Sequence, residues 1–455
     1  MGNIYVRDVI EKCGGKLLFG EIDLVLDNFC TDSRVVKKDD VFVCIKGDNF
    51  DGNNFYLDVV EKGAKCIIIS RMIDGVDCSK VTTILVEDTV KCLQDLAMYK
   101  RSLYNIPVVA VTGSVGKTST KDIIYSILST KYKTLKTSGN FNNHIGVPLT
   151  ILGLHDHEAM VIEMGMNHLG EISLLSNIVK PTIGVITNVG TAHIGNLGSR
   201  ENILKAKLEI LDGMIGNDIV INYDNDMLYK GVKLIPNGFN IHTVSIENDS
   251  LYRAININRD VFSSKFDIFQ TDKDIVVNVG GDAFIYNSLI AYSVGNILNI
   301  GNSDIKKGIN NFKLSSHRLE KIINTKGVII IDDTYNANFD SMKGSIELVG
   351  MVKDKRKILI LGDMLELGDY SVKLHSDLGD VVFNSNVDVL ITVGNLSKNI
   401  SKRALELGFN GEVYNFFDES KVSKELLDSF NNNDIILLKG SHGMNLINIV
   451  NRLCK

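Results

Sequence analysis

An apolar run, Val108-Val109-Ala110-Val111, leads into Thr112-Gly113-Ser114-Val115-Gly116-Lys117-Thr118-Ser119-Thr120. A helical pattern with Ile123, Ile124, Ile127 and Leu128 follows. This order commits the surrounding chain to an α/β layout, because such a glycine turn works between a strand and the start of a helix. There the backbone N–H groups of the turn and of the helix N-terminus face an anion. Lys117 is placed to reach outer phosphates, and Thr118 to offer its hydroxyl to Mg²⁺. Residues 112–119 therefore read as a phosphate-binding loop for ATP or GTP. The loop departs from G-x-x-x-x-G-K-[ST]: Val111 stands where the first glycine would fall, leaving G-x-x-G-K-T.

The chain has 455 residues, enough for roughly three domains. A hydrophobic content of 44% with 23% charged residues is that of a soluble globular protein. A net charge of −6 argues against a nucleic-acid partner. No apolar run is long enough to span a bilayer, and the first residues lack the apolar core of a signal peptide. A cytoplasmic chain without membrane insertion is expected. The seven cysteines are irregularly spaced with no C-x-x-C. That argues against a disulfide framework or zinc site, and most read as small buried apolar residues.

Three units are expected: 1–104, 105–314 and 315–455. The first contains short strands at 41–45, 66–69 and 84–86, closed by a helix over 90–104. The boundary falls at Tyr104-Asn105-Ile106-Pro107, because the residue before proline disfavours helix. In the second, strands at 108–111, 160–163, 183–187 and 219–221 alternate with helical patterns, so a mostly parallel sheet with helices on both faces is expected. Residues 240–280 break this pattern: Ile255–Asn258 and Lys265–Phe269 alternate with period two, separated by turn signals, and read as an antiparallel appendage. The third unit repeats the βα alternation. Its strands are expected at 328–331, 358–361, 389–393 and 435–438, with helices near 340–351, 370–383, 397–408 and 418–430. That makes a doubly wound, Rossmann-like unit.

Several groups fall where α/β ligands bind, at the carboxyl ends of parallel strands. Glu163 ends the strand in Val161-Ile162-Glu163-Met164-Gly165-Met166-Asn167-His168. Beside a phosphate loop it suits Mg²⁺, which prefers carboxylate, phosphate and water oxygens; a helix-capping or solvated role is the alternative. His193 follows the next strand, on the same edge. Lys205 and Lys207 sit two apart on a helical pattern and so face different ways. One is a solvated charge and the other can face the site. Asp332-Asp333-Thr334-Tyr335-Asn336-Ala337-Asn338 follows an apolar strand and reads either as a ligand edge or as an Asx-capped turn. The amide-rich stretch Thr137–Pro148 is either a polar binding loop or a long turn.

Taken together these motifs resemble the Mur ligases, the ATP-dependent amide-bond ligases of peptidoglycan precursor synthesis. The resemblance runs along the whole chain. It rests on the short loop 112–118, Gly139-Asn-Phe-Asn-Asn-His-Ile-Gly-Val-Pro, Glu163-Met-Gly-Met-Asn-His-Leu-Gly-Glu, Asp333-Thr-Tyr-Asn-Ala-Asn, Gly362-Asp-Met-Leu-Glu-Leu-Gly and Lys439-Gly-Ser. Thr31-Asp32-Ser33-Arg34 and Asp51-Gly52-Asn53-Asn54-Phe55 add to it. The set is most similar to the member that joins D-alanyl-D-alanine to UDP-N-acetylmuramoyl-tripeptide.

The resemblance implies an acyl-phosphate mechanism driven by ATP, with two Mg²⁺ ions, in a bacterial monomer. Residues 1–104 would hold the UDP-sugar end, with Ser33 and Arg34 near the nucleotide. Thr118 and Glu163 would share one Mg²⁺ and His193 would help bind a second. Lys207 would carry a CO₂-derived carbamate. Asn287 would lie near adenine, and Arg318 and Asp333 would bring the last domain onto ATP. Asn140, Asn143, Asn167, His168, Tyr335, Asn336 and Asn338 would contact substrate. The chain departs from the family pattern at Ala283 (usually His), His317 (Gly), Phe339 (Pro) and His442 (Arg). A sister ligase, a folate polyglutamate ligase and a nucleotide-dependent switch are the rival readings.

Overall fold

The computed structural model describes residues 2–73 and 77–455. Three large sheets follow one another along the chain, with a two-stranded ribbon near the N-terminus. The first has five strands in the order Lys16–Phe19, Thr82–Leu85, Cys66–Ile69, Val41–Val43 and Phe29–Cys30. Lys16–Phe19 is its antiparallel edge; the other strands run parallel. The helix Thr89–Ser102 closes this unit. Asp88 caps it by accepting from the N–H groups of Val90 and Lys91, which satisfies donors that a helix start leaves free.

Nine strands form the second sheet. At its heart β1 (Val108–Thr112) lies between β2 (Ala159–Glu163) and β3 (Ile183–Ile186), and all three run parallel. Val108, Val109, Ala110 and Val111 are fully buried. Helices cover both faces, as an unbroken Val-rich strand requires. One face packs on Ile123, Ile124, Ile127 and Leu128 of α1 (Lys117–Leu128) and on the helix Asp282–Ile297. The other packs on Ile172, Leu175 and Ile178 and continues into the core beneath the first sheet.

Residues 240–280 contain the expected antiparallel strands and join them to the main sheet by a parallel one. Asn240–Ser245 pairs parallel with Asp218–Asn222 and then with the start of Tyr252–Arg259. The strands Tyr252–Arg259, Ser264–Ile268 and Asp272–Val277 that follow pair antiparallel, as expected. The period-two strands are therefore an extension of the main sheet, and the parallel joints at its inner edge left no period of their own.

The third sheet has six strands and is parallel apart from the edge strand Glu320–Ile323. The expected helices lie at Phe339–Gly350, Ser371–Asn384 and Lys398–Glu406. Residues 418–430 form instead a 3₁₀ turn, Glu419–Lys421, and a short helix, Lys424–Asp428. Asp418 and Ser423 each cap a new start there, which breaks the single helix. The cysteine reading also needs correction: among the described residues no disulfide joins the seven, but only Cys44, Cys66 and Cys92 are buried. Among the described residues no helix is long and apolar enough to cross a membrane.

Arg101 welds the first unit to the second. Its guanidinium is buried and donates to the carbonyls of Tyr104, Val179 and Lys180. Replacing it with alanine removes these charge-assisted bonds and leaves buried carbonyls unpaired, at a cost of about 3 kcal/mol. Arg101→Ala is expected to lower the first thermal unfolding transition by about 5 °C or more, read by scanning calorimetry.

Candidate active site

β1 delivers the chain into the phosphate loop through Gly113, whose φ is +154°. A Cβ at Gly113 would lie 1.9 Å from Thr187 Oγ1, so only glycine fits. The end of β3 holds the loop in place. Ser114 N–H donates to the Asn188 carbonyl and Val115 N–H to Asn188 Oδ1 at 2.9 Å, while Thr187 Oγ1 and Asn188 Nδ2 donate back to the Val115 carbonyl. This refines the expectation that the whole turn faces an anion: the N–H groups of Ser114 and Val115 are taken. The donors left for phosphate are those at the start of α1, which a helix cannot satisfy internally. Lys117 rests with Nζ on the Gly113 carbonyl at 2.8 Å.

Glu163 ends β2, buried beside this loop. Its N–H donates to Thr137 Oγ1, and its Oε1 accepts from Asn142 Nδ2 at 2.8 Å. Oε2 is buried with no hydrogen-bond partner, an arrangement that leaves one carboxylate oxygen for a cation. Residues 137–148 are thus a binding-site loop as well as a turn. Asn143 meanwhile caps the helix Gly146–Leu152 through Ile145 N–H and Gly146 N–H.

His193 adopts the left-handed conformation, φ +61°. Its Nδ1 lies 3.2 Å from Glu366 Oε2 but is not aligned for a hydrogen bond. Burial, with Lys117 and Lys207 nearby, pulls the imidazole down to about 4, so it is neutral and able to ligate a metal at neutral pH. Lys207 resolves the choice between the two lysines. On α2 (Arg200–Leu208) it shares a buried face with Ile203 and Leu204, whereas Lys205 is exposed. Burial, and then Lys117, hold the Lys207 amine well below the ordinary lysine range.

The third unit closes the site. Arg318 stacks its guanidinium 4.1 Å from the centre of the Tyr335 ring. Asp333, at the end of β4 (Ile329–Asp333), accepts from Lys439 Nζ at 2.6 Å and from Ser345 Oγ at 2.7 Å. Its neighbour Asp332 points elsewhere: it accepts from Thr334 and contacts His317 Nδ1 at 2.6 Å. The Asp332-Asp333 pair is therefore half ligand edge and half Asx turn.

Three of the four departures from the family pattern have a local account. His317 sits at φ +62°, where glycine is favoured, and its ring bond to Asp332 holds it there. Phe339 opens α3 (Phe339–Gly350) where proline is often found. The capping box of Asn338 and Ser341 defines that start without it. His442 lies 6.4 Å from the Tyr335 ring and lines the cleft. Ala283 also lines the cleft, and nothing in the structure explains its small side chain.

These groups surround one cleft of about 1000 Å³ between the second and third units. Ser114 to Ser119, Asn140, Asn143, Glu163, Asn167, His193, Asn287, Arg318, Asp333, Tyr335, Asn336 and Asn338 line it. Thr112 and Lys207 are buried behind the wall, and His168 is exposed. Ser33 and Arg34 lie in the first unit, away from the lining, with Arg34 gripping Asp32. Asn142, Asn188, Asp340, Glu366 and Lys439 also belong to the site or its frame. Asn142 stood inside the amide-rich loop, and Glu366 and Lys439 inside noted motifs; Asn188 and Asp340 carried no local signal.

A phosphate loop with metal-competent side chains beside it, at the edge of a two-unit cleft, marks a nucleotide-using α/β enzyme. Residues 111–295 match the Mur ligase middle domain and residues 317–442 the Mur ligase glutamate ligase domain. The chain is 34% identical to the UDP-N-acetylmuramoyl-tripeptide–D-alanyl-D-alanine ligase of Bacillus subtilis, over 98% of both chains. It is 33% identical to the ligase of the same name from Escherichia coli, over 85% of this chain and 86% of that one. Its fold superposes on MurF from Acinetobacter baumannii with a TM-score of 0.90 and 28% identity, over 99% of both chains. MurF from Thermotoga maritima in complex with ADP gives 0.80 and 28%, over 94% and 97%. The chain belongs to the Mur ligase family.

Gly113→Ala is expected to weaken binding of a fluorescent ATP analogue by about 100-fold or more, roughly the 2.7 kcal/mol that displacing the loop costs. Far-UV circular dichroism should stay unchanged.

Proposed function

We propose that this chain joins D-alanyl-D-alanine to UDP-N-acetylmuramoyl-tripeptide at the expense of ATP, giving the pentapeptide precursor of peptidoglycan. The observation that carries the reading is the Glu163 carboxylate, one oxygen held by Asn142 and the other free, at the lip of the phosphate loop. Full-length relatives that bear the name of this activity support it.

The terminal carboxylate of the tripeptide attacks the γ-phosphorus, and the bond to the β–γ bridging oxygen breaks to release ADP. The dipeptide amine then attacks the acyl carbon, loses a proton, and expels phosphate. The loop and the start of α1 hold the triphosphate, and Lys117 neutralises charge on the group in transfer. The orphaned Glu163 Oε2 and the neutral His193 fit Mg²⁺, and Thr118 completes the set by resemblance. Bound there, Mg²⁺ supplies charge neutralisation and alignment of the phosphates. Asn287 is assigned to the adenine side, and Arg318 with Asp333 to docking of the third unit on ATP. Asn140, Asn143, Asn167, His168, Tyr335, Asn336 and Asn338 are assigned to the peptide substrates, Ser33 and Arg34 to the uridine end.

Units 1–104, 105–314 and 315–455 work as a UDP-sugar domain, an ATP domain and a Rossmann-like ligase domain. The reading places the enzyme in the bacterial cytoplasm, where ATP and UDP-linked precursors are made. The resemblance to its family implies that it works as a monomer.

Lys207 is assigned a carbamate. Its buried amine is held toward the neutral form, which can capture CO₂ and so become an oxygen-bearing anion. With ¹³CO₂ the protein should show a carbamate carbonyl resonance that Lys207→Ala lacks; its persistence in that variant would refute the assignment. The ligase reading requires phosphate release only when UDP-muramoyl-tripeptide and D-alanyl-D-alanine are both present. Release with either one alone would overturn it.

A further inference from the structure

Asp340 lies in the first turn of α3, in the third unit, yet its carboxylate is spent on the second. Oδ2 accepts from Thr191 N–H at 2.8 Å and from Thr191 Oγ1 at 2.9 Å. The approach is so close that a Cβ on Gly190 would lie 2.2 Å from this oxygen. Besides the approach of His193 to Glu366 at 3.2 Å, two further contacts join this stretch to the third unit. Tyr370 donates its hydroxyl to the Gly198 carbonyl at 2.9 Å, and the backbone of Glu366 and Gly368 packs against Gly195. The Asp340 contact differs from these because it grips the loop beside the phosphate site. Gly190 N–H, adjacent to Thr191, donates to Ser114 Oγ at 2.9 Å, and Asn188 pins Val115. His193 lies two residues beyond Thr191.

We propose that Asp340 is a positioning residue that couples closure of the third unit to the shape of the phosphate loop. With its carboxylate on Thr191, the 187–193 segment is clamped between the arriving unit and the loop. Ser114, Val115 and His193 are then set only when the units are together. Without it, the closed arrangement loses a charge-assisted pair of bonds, which are the stronger kind. The binding-competent state is then less populated, and apparent affinity for a substrate that needs it falls by the same fraction. Because Asp340 touches neither reacting atom, the barrier within the closed complex is unaffected.

The kinetic part of the test rests on the ligase reading; the scattering part does not. Asp340→Ala is expected to give a larger radius of gyration by small-angle X-ray scattering of the intact chain without substrates. It should also raise the KM for D-alanyl-D-alanine about tenfold, equivalent to 1.4 kcal/mol of lost closure, with kcat within about twofold of wild type. Gly190→Ala, at a backbone conformation open to any residue, wedges the same contact from the other side and should do likewise. Thr191→Val, which keeps the N–H donor, should fall between. Unchanged scattering in both Asp340→Ala and Gly190→Ala would overturn the coupling. So would a fall in kcat at constant KM, or a drop in melting temperature with neither effect. A chain that closes as predicted but releases no phosphate with both substrates would refute the ligase reading and leave the clasp standing.

Discussion

The site depends on the parallel register of three strands. Val111 pairs with Glu163 on one side and with Val185 on the other, and Thr112 with Ile186. Because the strands run the same way, the glycine turn, the Glu163 carboxylate and the Thr187–His193 loop emerge together at one sheet edge. Antiparallel pairing of either neighbour would send its polar end to the opposite edge. The register also explains the brace on the loop. Thr187 and Asn188 come off β3 one step beyond Thr112, at the height of Ser114 and Val115, so short polar side chains can reach them.

That convergence produces an electrostatic imbalance. Lys117, Lys207 and Arg318 gather near the phosphate loop, where Glu163 is the acid that acts on Lys117, while Asp333 is paired with Lys439 and Asp340 is bonded to Thr191. Burial lowers both lysines, Glu163 pulls Lys117 back up, and Arg318 pushes it further down. A buried charge left unpaired is costly, and Lys117, lowered by burial and held up by Glu163, is such a group. A polyanion such as a nucleoside triphosphate relieves that cost. Burial, with Lys117 and Lys207 nearby, keeps His193 neutral, so the imidazole adds no further positive charge.

How far the sequence foretold this follows from where each partner lies in the chain. The loop, Glu163 and His193 were legible because strand, turn and polar end are contiguous. The choice of Lys207 over Lys205 needed only helical spacing: Lys207 stands four residues after Ile203 and three after Leu204. Asn188 and Asp340 were not legible. Their partners lie 73 and 149 residues away, and an amide or carboxylate in a loop looks the same whether it is solvated or braces a neighbour. The edge strands Glu320–Ile323 and Glu412–Phe416 escaped for a related reason: neither has a fully buried face, and neither sequence, Glu-Lys-Ile-Ile or Glu-Val-Tyr-Asn-Phe, alternates apolar with polar residues. The 418–430 segment has helical composition throughout, and its two capping residues outweigh it.

The joint between the second and third units can be located from its bonds. Ser315 Oγ donates to Asp122 on α1, so the chain up to 315 belongs with the ATP-binding sheet. His317 already belongs to the third unit, through Asp332 and through Tyr335 N–H donating to its carbonyl at 3.1 Å. The transfer falls on Ser316, which is exposed. His317 and Leu319 both take left-handed backbone, at φ +62° and +50°, at about 1–2 kcal/mol each for a non-glycine residue. Arg318 sits between them, stacked on Tyr335 of the third unit and facing the cleft. A strained turn that tethers Arg318 to the third unit, one residue past the joint, carries the guanidinium with that unit. Arg318 and Asp340 therefore belong to one rigid side of the cleft, so in the proposed closure the cation and the clasp would arrive together.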